Sequence, residues 1–149
     1  MLLRRILAVA AGVVVFIAIV SICDGVANAL FQSPPSVDPS NPDALRDQMA
    51  NVPLGALVTV LAGSTLGALA GTYITGILIG DGATYWPFVT GVIGLAATVM
   101  NALTLPHPSW FVLAAPAGVI GASVLGWWLS GRRTRPIRKI APSPQRPAA

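Results

Sequence analysis

The chain has 149 residues, of which 54% are hydrophobic and 9% charged, and its mean hydropathy is +0.74. Soluble domains carry about 25% charged residues and disordered chains pair low hydrophobicity with high charge, so both classes are excluded and a membrane protein is left. Nine Lys plus Arg against five acidic residues, all Asp, give a formal charge of +4, and the position of these charges says more than their sum.

Crossing a hydrocarbon core of about 30 Å at 1.5 Å per residue takes roughly 20 apolar residues, and four stretches are long enough. The first predicted span runs from Ile6 to about Leu30, follows Arg4 and Arg5, and carries no charge before Asp24. Ala27-Asn28-Ala29 also fits a signal-peptide cleavage site after Ala29. The 18-residue apolar stretch from Ile6 to Cys23, interrupted by no charge, exceeds the usual h-region of about 7–15, which favours an uncleaved span. Cys23, the single cysteine, reads as a small apolar side chain; a lipid-modified cysteine would call for a small residue where Ile22 stands.

Ser33-Pro34-Pro35 ends the first span and opens an extended, proline-rich connection. A short helix from Pro42 to about Ala50 should follow. Asn41 can cap it, Pro42 suits the first helical position, and Asp43 complements the positive end of the helix dipole. Leu45 and Met49 then share one face, with Asp43, Arg46 and Asp47 toward water.

The second predicted span covers Pro53 to Ile79 and stops at Gly80-Asp81-Gly82. Small residues recur in it every four positions, at Gly55, Thr59, Gly63, Gly67, Gly71 and Thr75. In lipid, helices associate through close backbone approach and hydrogen bonds, because hiding apolar side chains from apolar tails gains nothing. The third span, Pro87 to Leu105, starts behind Tyr85-Trp86, adds small positions at Gly91, Gly94 and Thr98, and ends at Pro106-His107-Pro108. The fourth, Trp110 to Leu129, repeats the pattern at Ala114, Gly118, Ala122 and Gly126. Gly63, Gly67, Gly71, Gly118 and Gly126 are the expected packing positions, within one chain by preference and between copies in a homo-oligomer as the alternative. Ser64, Thr65 and Ser123 are expected to hydrogen-bond between helices.

Residues 132–149 hold five Arg, one Lys, four Pro and no acid. The prolines forbid a continuous helix, so a disordered basic tail is predicted, drawn to anionic lipid headgroups through Arg132, Arg133, Arg135, Arg138 and Lys139. Nothing here organises base contacts, and no nucleic-acid partner is expected. Eight of the nine cations flank the first and fourth spans, whereas four of the five acids lie between Asp24 and Asp47. Basic flanks stay in the cytoplasm, so an even number of spans puts both termini inside and the short helix outside. The fold class that follows is an all-α four-transmembrane-helix bundle with a short extracytoplasmic loop helix.

Ionisable residues in a span are costly and point to function. Asp24 lies about 27 Å along the first span, near its outer boundary. Asn28 is one turn further on the same face, and Asn101 and His107 fall at the same level on the third span and its turn. These four are the candidate polar cluster, suited to a cation, a proton relay or a lipid headgroup. The plainer reading ties Asp24 and Asn28 to loop amides and leaves His107 as a turn residue. One His and no Cys pair gives no zinc set. No nucleophile has a base, no glycine loop cradles phosphate and no carboxylates pair, so neither catalysis nor a cofactor is expected.

Asp24, Pro34-Pro35, Asp38-Pro39, Val52-Pro53-Leu54-Gly55, Gly67, Gly71 and Pro106-His107-Pro108-Ser109-Trp110 occur in an order that resembles a family of small, uncharacterised four-span bacterial inner-membrane proteins. The departures are Asp24 where Glu is expected and a Gly80-Asp81-Gly82 turn without basic residues. The resemblance implies topology and the bacterial inner membrane but no activity. A structural or accessory role, alone or in a larger membrane complex, is the expected function. The alternative is a small transporter or channel working through the outer cluster around Asp24. Small multidrug transporters place an acid deep in their first span, and Ile6 to Cys23 contain none.

Overall fold

The computed structural model describes residues 2–31, 41–80 and 85–133, and they form five helices with no strand among the described residues. In order these are α1 (Leu2–Phe31), α2 (Pro42–Ala50), α3 (Leu54–Ile79), α4 (Trp86–Thr104) and α5 (Ser109–Arg133). All but α2 are long and apolar enough to cross a membrane; α4, the shortest of the four, extends about 28 Å and α1 about 45 Å. The protein is therefore an all-α, multi-pass membrane protein built on a four-helix bundle. Residue 1, the proline-rich stretch 32–40, residues 81–84 and the segment 134–149 with Arg135, Arg138 and Lys139 lie outside the described residues.

Two helix ends extend beyond the predicted spans, each with an arginine held there by a contact. α1 starts at Leu2 and not at Ile6, and Arg4 donates through Nε and Nη2 to the Leu78 carbonyl at 3.2 and 2.9 Å. That carbonyl lies in the last turn of α3, where no intrahelical donor remains and a cation is favoured. Gly80 closes the same end at φ +77°, its N–H donating to the Gly76 carbonyl at 3.1 Å. α5 runs to Arg133 where Leu129 was the expected end, so Arg132 is helical and does not open a disordered tail. Its guanidinium lies 3.4 Å from the centre of the Trp128 ring, a cation–π contact at the favoured helix terminus. α2 begins as predicted, with Asn41 Oδ1 accepting from the Asp43 and Ala44 amides at 3.2 Å each. Leu45 and Met49 are half-buried, and Asp43, Arg46 and Asp47 are exposed.

α3 is the axis of the bundle, with glycines on two sides. Toward α1, a Cβ on Gly71 would come within 2.6 Å of the Gly12 carbonyl, one on Gly67 within 3.0 Å of the Phe16 carbonyl, and one on Gly63 within 2.5 Å of Cys23 Cβ. Toward α5, the close approach comes from the partner: a Cβ on Gly118 would meet Thr65 Oγ1 at 2.7 Å and one on Gly126 the Leu69 carbonyl at 2.5 Å. All five packing glycines are thus used within the chain. Phe16 fills the space among α1, α3 and α4, lying against Gly67 and Gly94 and joining Ala68, Val119 and Ala122 in one core cluster. The large apolar residues left exposed, such as Leu7, Val14, Leu66, Val92 and Leu113, suit a lipid-facing surface.

The hydroxyls correct one expectation. Ser64 and Thr65 donate to the carbonyls of Val60 and Leu61 in their own helix, and buried Ser123 Oγ has no hydrogen-bond partner among the described residues. Packed this closely, a short hydroxyl reaches its own carbonyl four residues back more easily than a neighbouring helix. Among the hydroxyls the interhelical contacts come instead from Thr75, whose Oγ1 lies 2.8 Å from Thr90 Oγ1 on α4 and 3.2 Å from the Ala8 carbonyl on α1, as well as 2.9 Å from the Gly71 carbonyl of its own helix. Thr75 is fully buried, and this contact joins three helices at the end of the bundle where α1 begins and α5 finishes.

Candidate functional site

At the opposite end, where α2 lies, the bundle is open. A cavity of about 380 Å³ is lined by all four residues of the sequence-derived cluster, Asp24 and Asn28 from α1, Asn101 from α4 and His107 from the α4–α5 turn. Gln48 and Met49 of α2 line it as well, with Val52, Ala56, Leu57 and Val60 leading into and along α3. A second cavity of about 240 Å³ shares Asp24, Val60 and Asn101 with the first and adds Ser64, Thr98, Phe111 and Phe16. Together they form one recess, with Asp24 at the junction and Phe16 as the floor.

Helix geometry explains the convergence. Asp24 and Asn28 are one turn apart on α1 and face the start of α3, because α1 and α3 run antiparallel with Phe31 against Gly55. α4 ends just beyond Asn101: Leu105 is extended, at φ −111° and ψ 139°, as expected of a residue preceding proline. The turn that follows places His107, whose Nδ1 lies 3.0 Å from the Leu105 carbonyl and whose ring stacks on Phe111 at 4.6 Å and 11°. A carbonyl only accepts, so Nδ1 carries the hydrogen and Nε2 of the neutral ring is an acceptor. His107 is held as a turn residue and still borders the recess.

Asp24 is held differently. Its Oδ1 is buried with no hydrogen-bond partner among the described residues. Asp24 is also the only acidic residue on the four long helices. An unpaired buried carboxylate oxygen costs free energy that a ligand donor would recover.

Gln48 is a lining residue that sequence reading did not single out, and Ser64 and Thr98 were expected only at helix contacts. Thr98 lies one turn before Asn101, and Gln48 one residue before the apolar Met49, so each had a positional signal. Only the placement of α2 and the depth of the second cavity give them meaning. At the end with the termini, aromatics and cations gather: Arg5 lies 6.0 Å over Trp86, Phe88 packs at 5.0 Å on Trp127, and Arg132 stacks on Trp128. Comparison with known protein families, curated proteins and solved structures finds no match for this chain.

Proposed function

We propose that the chain is a non-catalytic accessory protein of the bacterial inner membrane, with both termini cytoplasmic and a polar binding recess toward the extracytoplasmic side. The observation that carries this reading is the floor of the recess. Below Phe16 the helices close through the Gly12–Gly71 approach and the Thr75–Thr90 contact, and Thr72 and Thr75 are fully buried. A recess that stops there can hold a ligand or part of a partner but offers no water path across the bundle.

The orientation rests on charge: Arg4, Arg5 and Arg132 mark one end, with aromatic rings beside two of them, and Asp43 and Asp47 the other. The same basic end suits anionic headgroups. Resemblance to the small four-span bacterial family supports the choice of membrane. With the packing glycines occupied inside the chain, a partner would be a larger membrane complex in preference to a copy joined through those stripes.

A second reading, a small transporter, is favoured by the unpartnered Asp24 oxygen at the junction of both cavities. Flux of protons, sodium and potassium into liposomes holding the purified full chain separates the two. The accessory reading expects no flux above protein-free liposomes. A sustained flux that Asp24→Asn abolishes would replace it with transport.

A further inference from the structure

We propose that the recess binds the ammonium group of an amphipathic primary amine, with Asp24 as counter-ion and the alkyl part on the apolar wall formed by Met49, Val52, Leu57 and Val60. The proposal rests on the recess being a binding site and names its ligand class.

Three observations converge on it. The first is charge: Asp24, which lines both cavities, is the only acid on the long helices, and its Oδ1 is buried without a hydrogen-bond partner among the described residues, so it can accept from a donor of opposite charge. The second is the kind of acceptor around it. Asn101 supplies an amide oxygen and His107 supplies Nε2, its Nδ1 being committed to Leu105, so neutral acceptors border the same space. An ammonium has three N–H donors and no acceptor, which this set matches and a quaternary nitrogen does not. The third is size and lining. Volumes of about 380 and 240 Å³ with long apolar walls are of the order that holds a small organic molecule. They exceed what a desolvated metal ion fills, and hard cations call for six or more oxygens where one carboxylate and a few amides are present. No group of three His, Cys, Asp or Glu that could hold a metal occurs among the described residues.

The same chemistry has two sources, a phospholipid with a primary amine headgroup or a free alkylamine, and the experiment has an arm for each. In the first arm, the full chain in maltoside detergent is titrated with decylamine, decanol and decyltrimethylammonium, and occupancy is read by native mass spectrometry. Decylamine is expected to bind one per chain and about tenfold or more tighter than either control, as a charge-assisted hydrogen bond implies. Asp24→Asn is expected to remove that preference and Asp24→Glu to keep most of it, with helix content checked by circular dichroism. In the second arm, the protein is extracted from nanodiscs of equal phosphatidylethanolamine, phosphatidylglycerol and phosphatidylcholine. Retention of phosphatidylethanolamine that Asp24→Asn abolishes identifies the lipid as a ligand; decylamine binding without that retention identifies a free amine. Equal binding of decylamine and decanol, or unchanged binding by Asp24→Asn, overturns the proposal. Absence of both amine binding and ion flux overturns the proposal alone, whereas flux in the liposome assay overturns the accessory reading.

Discussion

The two ends of this bundle solve opposite problems with the same four helices. At the end that carries the termini, small residues bring backbones into contact: Gly12 meets Gly71, Ser130 lies against Gly76, and Thr75 reaches both Thr90 and the Ala8 carbonyl. At the α2 end the side chains on the same helices are Asp24, Asn28, Val60 and Asn101, and a recess remains between them. The difference lies in side-chain size and polarity along each helix and not in helix number or order. Close packing supplies the dispersion that holds helices together in lipid, where hydrophobic burial does not. One well-packed half therefore allows the other to keep a polar cavity.

The largest expected effect comes from breaking the closed half. Gly71→Leu drives a side chain into the Gly12 carbonyl, and Gly67→Leu into Phe16 and its carbonyl. Overpacking a filled site costs about 1–3 kcal/mol, and more where the obstacle is backbone that cannot rotate away. Both variants should unfold at lower denaturant in an SDS titration followed by circular dichroism, Gly71→Leu most. Wild-type midpoints for both would mean that α1 and α3 do not pack as described.

A smaller loss is expected for Thr75→Val, which keeps shape and removes the bonds to Thr90 and Ala8. Interhelical hydrogen bonds in membrane proteins contribute about 0.6 kcal/mol on average and up to about 1.7 kcal/mol, and the same titration resolves the upper part of that range. Asn41→Ala removes the cap of α2 and should cost that helix about 1 kcal/mol, visible as faster amide exchange over 43–46 with exchange in α3 unchanged. Asp24→Asn should have the least effect on stability, or a slightly favourable one, since it replaces a carboxylate whose buried Oδ1 is unpartnered. Marked destabilisation by Asp24→Asn would show that the carboxylate holds the α2 end together, and the contrast between the two halves would fail.

Much of the fold was legible in the sequence because the membrane imposes length and the breakers impose ends. Pro106 after Leu105, Gly80 after Ile79 and the Asn41-Pro42-Asp43 start each fix a boundary by local chemistry alone. Helix ends held by side-chain contacts were not legible: Arg4 on the Leu78 carbonyl of α3 and Arg132 on Trp128 one turn back in α5 carry α1 and α5 past their apolar stretches. The four residues of the polar cluster could be placed at one level by counting along the spans, since Asp24 and Asn28 share a face and Asn101 and His107 end the next ascending helix. Their joint cavity could not be counted, because it depends on how far α4 stands from α1 once Phe16 has filled the level below. Hydroxyl partners were the least legible. Ser64 and Thr75 both reach their own carbonyl four residues back, and only helix separation decides that Thr75 also meets a neighbouring helix.

The central claim, an open polar half above a closed one, is tested most directly by thiol accessibility. In a Cys23→Ser background, Ser64→Cys and Thr90→Cys place single thiols at positions that are 7% and 3% exposed, so static burial hardly separates them. Ser64 lines the recess and Thr90 lies in the closed layer. Measured with a charged, membrane-impermeant methanethiosulfonate on the reconstituted protein, Ser64→Cys should be modified steadily and Thr90→Cys only after detergent unfolding. Equal rates at the two positions, fast or slow, would contradict the account.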